Sequence, residues 1–183
     1  MQDKIGWIGL GSMGNRMAKN LAKNGYQMLV TDKMDTSAAP QSAHVATTNS
    51  EVISEANILI LSIPAGPDTL EITQEILNSP SSSVEIVIDT STIGIPDAKQ
   101  AAELLSKKGI EYVDAPVSGG IAGADSATLA VMVGCREDIF EKVQPILKCI
   151  GANISHVGPN PGQGQTVKPV SYTHLTLPTT TIV

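Results

Sequence analysis

The sequence predicts a doubly wound α/β fold, a mostly parallel sheet with helices on both faces. Three observations predict it. Apolar runs alternate with helical patterns along most of the 183 residues. The runs at 58–61 and 84–88 are almost continuously apolar, as expected of strands buried on both faces. The first run leads through a glycine-rich turn directly into a helical pattern.

Lys4 to Gly9 reads as the first strand. Ser12 to Asn24 reads as a helix, with Met13, Met17, Leu21, Ala18 and Ala22 on one apolar face and Gly25 as its stop. Gln27 to Thr31 is a second strand. Asn49 is a candidate cap for a short helix through Glu55. Residues 58–61 form a third strand, ended by Pro64 and Pro67, and Asp68 to Leu77 is helical. After the strand at 84–88, Pro96 opens a helix to Lys108, with Gly109 beyond it. Strands at 111–113, 129–133 and 153–156 and a helix at 137–149 complete the pattern. Residues 158–164 read as a linker or a turn into a new element.

Composition narrows the function. Hydrophobic residues make up 42% and charged residues 16%, which supports a buried core rather than disorder. A net charge of -6 disfavours nucleic-acid binding, and 3% aromatics offers no stacking surface for bases. No apolar run reaches the roughly 18 residues that span a bilayer, so no membrane role is expected. Cys135 and Cys149 are too few for a disulfide framework and read as buried, inert thiols. His44, His156 and His174 lack metal-ligand spacing, and no metal is expected. Residues 1–4 lead straight into a strand pattern without a signal-peptide pattern. The expected setting is reducing and cytoplasmic.

Gly9-Leu10-Gly11-Ser12-Met13-Gly14 is a G-x-G-x-x-G between a strand and a helix, with Asp32 at the end of the next strand. That context makes it a dinucleotide-binding turn and the fold Rossmann-type. Gly9 permits the tight turn, Gly11 lets the backbone approach a diphosphate, and Gly14 lets helix and strand pack closely. The helix N-terminus offers N–H groups and a positive dipole end to the phosphates. Asp32 would accept hydrogen bonds from the ribose hydroxyls and repel a 2′-phosphate. NAD is therefore favoured, with NADP left possible by the adjacent Lys33. Trp7 is expected to be buried, and Met13 and Met17 to serve mainly the core.

From residue 4 to 168 the sequence resembles the β-hydroxyacid dehydrogenases, a family that includes 3-hydroxyisobutyrate dehydrogenase and tartronate semialdehyde (2-hydroxy-3-oxopropionate) reductase. The resemblance rests on IGWIGLGSMGNRMAKNLAKNGY from Ile5 to Tyr26, on Ile88-Asp-Thr-Ser-Thr92 followed by Pro96, on Asp114-Ala-Pro-Val-Ser-Gly-Gly120 and on Gly162-Gln-Gly-Gln-Thr-Val-Lys168. It implies hydride transfer between a nicotinamide and a small 3-hydroxy acid or its semialdehyde. It implies that Ser118, Gly119 and Gly120 bind the substrate, and a serine with two glycine N–H groups is a fitting carboxylate donor set. Thr92, at the C-terminal edge of the sheet, and Pro64 are the further cofactor contacts implied. Lys168 is the implied acid/base, since a lysine desolvated in a closed cleft can take the hydroxyl proton. A dinucleotide-binding module without catalysis, and a relative of the 6-phosphogluconate dehydrogenases or imine reductases, stay open as alternatives. The substrate loop of the former differs from DAPVSGG.

The sequence departs from the family pattern at three places. Ala127 stands where a glycine usually precedes the threonine. Ser171 and Tyr172 replace an asparagine pair after the lysine. Residues 169–183 contain five threonines and no Asp, Glu, Lys or Arg, whereas the preceding residues carry all the charged side chains. This tail has poor helix formers, and residues 169–179 resemble a transposase sequencing adapter translated in frame. The expected organisation is a dinucleotide domain over 1–160, the start of an interdomain segment over 161–168 and a non-native tail over 169–183. The family's all-helical second domain, through which the parent is expected to form a homo-oligomer, would then be absent. Lys168 would lie in water near a frayed terminus, and this polypeptide would bind NAD weakly and turn over poorly or not at all. Resequencing the parent locus checks the tail. An adapter origin predicts a different frame after Lys168, and a continuous frame encoding the tail would refute it.

Overall fold

The alternation of strands and helices continues throughout the structure, a computed structural model that describes the backbone of residues 3–173 and the side chains of residues 3–168. In chain order the elements are β1 (Ile5–Ile8), α1 (Gly14–Lys23), β2 (Met28–Thr31), β3 (His44–Val45), α2 (Asn49–Glu55), β4 (Ile58–Leu61), α3 (Gly66–Asn78) and β5 (Ile86–Asp89). Then come α4 (Ile95–Ser106), β6 (Glu111–Asp114), β7 (Val117–Ser118), α5 (Gly120–Asp125), β8 (Leu129–Gly134), α6 (Glu137–Leu147), β9 (Gly151–Gly158) and α7 (Gln163–Thr173). The strands form one sheet in the order β3-β2-β1-β4-β5-β6-β8-β7, with β9 beside β8. β3 through β6 are parallel, β8 runs antiparallel to β6 and β7, and β9 is parallel to β8.

Both faces of the sheet are buried. Ile5 and Trp7 of β1, Ile58 and Ile60 of β4, and Ile86 and Ile88 of β5 join the core with Met17 and Leu21 of α1 and Phe140 and Val143 of α6. Their alternates, Ile8, Leu59, Leu61 and Val87, join the opposite core with Val52, Ile72 and Leu105 from α2, α3 and α4. The two-residue period of a strand sends alternate side chains to opposite layers, so an uninterrupted apolar strand needs two cores. Trp7 is fully buried, as expected. Gly25 and Gly109 have φ of +86° and +71° beyond α1 and α4, the left-handed stops expected of them.

Several sequence expectations change. Thr48, not Asn49, caps α2: its Oγ1 accepts from Glu51 N–H at 3.2 Å. The short strands β3 and β7 and the helix α5 carry too few residues for a periodic signal. α5, Gly120–Asp125, is held from outside by α1: Asn20 Nδ2 donates to the Ala124 carbonyl at 2.7 Å and Arg16 pairs with Asp125 at 2.8 Å. The 158–164 segment is a turn into a new element, α7, whose backbone runs on to Thr173 despite the poor helix formers after Lys168. The rest of the tail, 174–183, lies outside the described residues.

Ala127, at the glycine position of the family pattern, has φ +55° and is the non-glycine residue with positive φ among those described. Cys135 and Cys149 are buried free thiols. Burial, followed by nearby acids, pushes the Cys135 thiol up to about 12, and burial raises that of Cys149. No helix among the described residues is long and apolar enough to cross a membrane.

At the ends of neighbouring strands, Asp89 and Asp114 lie side by side in register, both fully buried. Asp89 accepts from Thr69 Oγ1, Tyr112 OH and Ser91 N–H, each at 2.9 Å. Burial raises its carboxyl above the ordinary range, and the hydrogen bonds oppose that rise.

Two predictions follow from these features. Replacing Ala127 by glycine relieves the left-handed strain at some cost in chain entropy, and should stabilise the fold by about 0.5–1 kcal/mol in urea denaturation. Between the ordinary Asp value of 3.8 and its raised native value, Asp89 is more protonated folded than unfolded, so its contribution to stability falls as pH rises through that window. Asp89→Asn removes this titration, so the variant should gain on the wild type as pH rises above 3.8. A pH-independent difference would contradict the assignment.

Candidate active site

A cleft of about 860 Å³ opens at the C-terminal ends of β1 and β4. Strand order reverses there, because β1 is followed in space by β2 on one side and β4 on the other. The cleft is lined by every residue of the Gly9–Gly14 turn together with Asp32, Pro64 and Asp68.

The three glycines have distinct surroundings. Gly9 has φ +100°, and a Cβ there would meet the Ser62 carbonyl oxygen at 2.2 Å. A Cβ on Gly14 would meet the Gly9 carbonyl oxygen at 2.1 Å, so α1 can approach β1 this closely only without a side chain. A Cβ on Gly11 would meet nothing within 4 Å and would instead fill part of the open cleft. Trp7 Nε1 donates to the Gly9 carbonyl at 2.8 Å and fixes the turn from the core side. Asn15 Nδ2 donates to the Gly11 carbonyl at 2.6 Å, and Arg16 Nη1 to that of Ser12 at 2.6 Å. α1 has no side-chain cap hydrogen bond and no acid in its first turn, which leaves its positive end uncompensated there. A diphosphate fits this cradle. Leu10 contributes backbone only, since its side chain is in the core. Met13 lines the cleft and packs against the same core, while Met17 is wholly buried.

Asp32 is half-buried at the end of β2. Its Oδ2 accepts from Leu10 N–H at 2.6 Å, and its Oδ1 from Met34 N–H at 2.7 Å and Asp35 N–H at 3.2 Å. The carboxylate therefore ties the glycine turn to the β2 loop, and it retains lone pairs for a further donor. Sequence reading did not single out Asp35, a second carboxylate lining this corner. Hydrogen bonds from Ser37 lower its carboxyl below the ordinary range.

The remaining site residues lie farther along the same sheet edge. Thr92 is exposed in the loop after β5. Ser118 is buried at the end of β7, opposite Ala130 of β8, and exposed Gly119 and Gly120 follow it at φ +134° and +63°. Lys168 is 3% exposed, and its Nζ donates to the Val117 carbonyl, next to Ser118. This corrects the expectation of a lysine in water: packing of α7 on the sheet buries it, and α7 continues past it. The side chains of Ser171 and Tyr172 lie outside the described ones. Among the described residues, no group of three or more His, Cys, Asp or Glu side chains could hold a metal ion.

Two further polar residues belong to this end. Gln165 is buried between the Thr92 loop and Asp114, and Asp114 in turn receives the Gly162 and Gln165 N–H groups. Both stand inside motifs already singled out, Asp114 heading DAPVSGG and Gln165 preceding the lysine, but their pairing across 51 residues has no local signal.

Known proteins share this sequence and fold. 2-(Hydroxymethyl)glutarate dehydrogenase of Eubacterium barkeri is 39% identical over 178 residues, covering 92% of this chain and 57% of its own length. 2-Hydroxy-3-oxopropionate reductase of Escherichia coli is 37% identical over 169 residues, covering 90% and 58%. The chain thus spans little more than half the length of these curated relatives. The solved 3-hydroxyisobutyrate dehydrogenase of Mycobacterium tuberculosis with L-serine superposes with a TM-score of 0.87 at 33% identity, over 96% of this chain and 60% of that one. The family described as the NAD binding domain of 6-phosphogluconate dehydrogenase matches residues 4–158. With its glycine cradle, its acidic corner and most of its length inside that match, the chain belongs to this family of NAD-binding domains.

Proposed function

We propose that the chain is the cofactor-holding part of an NAD-dependent oxidoreductase acting on a small 3-hydroxy acid or its semialdehyde, of the 3-hydroxyisobutyrate or tartronate semialdehyde type. The observation that carries this reading is the hydrogen bond from buried Lys168 to the Val117 carbonyl, which joins the lysine to the Ser118–Gly120 turn. A bound nicotinamide supplies the hydride acceptor or donor. Gly9 to Gly14 and the start of α1 hold the diphosphate, Asp32 holds the ribose, and Pro64 and Thr92 border the rest of the cofactor. Ser118 and the N–H groups of Gly119 and Gly120 hold the substrate carboxylate. Lys168 Nζ takes the hydroxyl proton in oxidation and returns it in reduction.

In this reading residues 1–160 form the dinucleotide unit and 161–168 lead away from it. The parent is a cytoplasmic homo-oligomer. Asp32 and Asp35 together disfavour a 2′-phosphate, so NAD is preferred over NADP. The open side of the reacting end faces water although Lys168 itself is buried: Thr92, Gly119 and Gly120 are exposed, and Ile121 and Val167 are 50% and 37% exposed. Proton transfer gains from water exclusion, so this chain holds the cofactor but turns over slowly.

Titration calorimetry tests the reading. The chain should bind NADH, and NADPH about tenfold or more weakly. Gly11→Val should abolish NADH binding while leaving the melting temperature unchanged, because its side chain enters open cleft. Asp32→Asn should weaken NADH by about tenfold and narrow the preference over NADPH. Absence of heat from a folded sample at millimolar NADH would refute the proposal. In a chain as long as its relatives, Lys168→Ala should abolish turnover of 3-hydroxyisobutyrate and tartronate semialdehyde and leave cofactor affinity nearly intact.

A further inference from the structure

We propose that Gln165, acting with Asp114, is the positioning residue of the reacting end: one buried amide holds the Thr92 loop and the lysine-bearing helix α7 in a single register. The inference rests on the proposed function and adds to it a residue that touches neither cofactor nor substrate.

The Gln165 amide is 4% exposed and every bonding capacity of it is used. Its Oε1 accepts from Ile93 N–H and Gly94 N–H, each at 3.1 Å. Its Nε2 donates to the Ser91 carbonyl at 3.0 Å and to Asp114 Oδ1 at 2.8 Å. Thr92 is thus bracketed on both sides by contacts to one side chain. The other oxygen of Asp114 accepts from Gly162 N–H at 2.8 Å and Gln165 N–H at 3.1 Å, which occupies N–H groups at the start of α7.

The start of α7 is also locked against the sheet. A Cβ on Gly164 would meet the Met132 carbonyl oxygen at 2.4 Å, so the helix backbone rests directly on β8. Lys168 follows Gln165 by three residues, about one turn, on the same side of the helix. The azimuth that sends the Gln165 amide to Ser91 and Asp114 is therefore the azimuth that sends Lys168 to Val117. Burial without partners is costly for an amide or carboxylate, so this network has one satisfied arrangement and resists small rotations.

Gln165→Glu tests the role in the full chain. The substitution keeps the shape and one acceptor but turns an oxygen toward the Ser91 carbonyl and the Asp114 carboxylate. Lysine acylation by acetic anhydride, read by mass spectrometry, reports Lys168 against exposed Lys23. Calorimetry compares ADP-ribose, which lacks the nicotinamide, with NADH. The expected result is about tenfold faster acylation of Lys168 with Lys23 unchanged, the scale of one buried hydrogen bond lost. NADH affinity should fall about tenfold while ADP-ribose affinity holds.

Asp114→Asn combined with Gln165→Glu restores a donor facing an acceptor between the two side chains but leaves the Ser91 carbonyl facing an oxygen, so it should recover part of the acylation effect. Unchanged acylation of Lys168 in Q165E would overturn the proposal. So would faster acylation of all lysines alike, which marks a purely structural contact, or a double variant no better than Q165E. A wild-type chain that binds neither ADP-ribose nor NADH would instead end the dinucleotide reading, and the acylation pattern would still decide the role of Gln165.

Discussion

The glycine turn depends on how closely the first turn of α1 approaches β1 and β4. Side chains at Gly9 and Gly14 would meet carbonyl oxygens of Ser62 and Gly9 at 2.2 and 2.1 Å, distances that no packing adjustment absorbs. The approach brings the positive end of α1 to the point where strand order reverses. Trp7 fixes the Gly9 carbonyl from below and Asp32 fixes the Leu10 N–H from the side. The turn is thereby held between the apolar core and a carboxylate. Of the three glycines of the turn, Gly11 is the one whose missing side chain leaves open space in the cleft.

The other end of this sheet edge is organised differently. Its residues come from β5, β7 and α7, and what unites them is buried polar contact rather than a glycine turn. Asp89 and Asp114 stand in register on neighbouring strands, and burial raises both carboxyls. Each is surrounded by donors: Thr69, Tyr112 and Ser91 for Asp89, and Gln165 with the start of α7 for Asp114. Hydrogen-bond donors offset part of the cost of desolvating a carboxylate, and they do so only in one geometry. Asp89 and Asp114 are thus buried at this edge of the sheet, while Gly119, Gly120 and Ile121 are exposed.

The match between expectation and structure follows the range of the interactions involved. The strands at 58–61 and the helix through Glu55 were legible because period and length are local properties of the chain. β3, β7 and α5 were not. β3 and β7 have two residues each, and α5 contains two glycines and takes its anchors from Asn20 and Arg16, more than 100 residues earlier. Ala127 shows an intermediate case. The resemblance marked it as a departure, and the φ of +55° explains why glycine suits the position.

By itself the sequence determined the parallel sheet, the two-sided core and the cofactor turn, because apolar periodicity and glycine spacing act over a few residues. It also supplied Lys168 and Ser118 as candidates through resemblance. Only the tertiary structure decided that the lysine is buried against β7, next to Ser118, since its partner Val117 lies 51 residues away on another element. Contacts at that separation depend on the stacking of whole elements. A chain pattern records the residues that make them but not the approach that joins them.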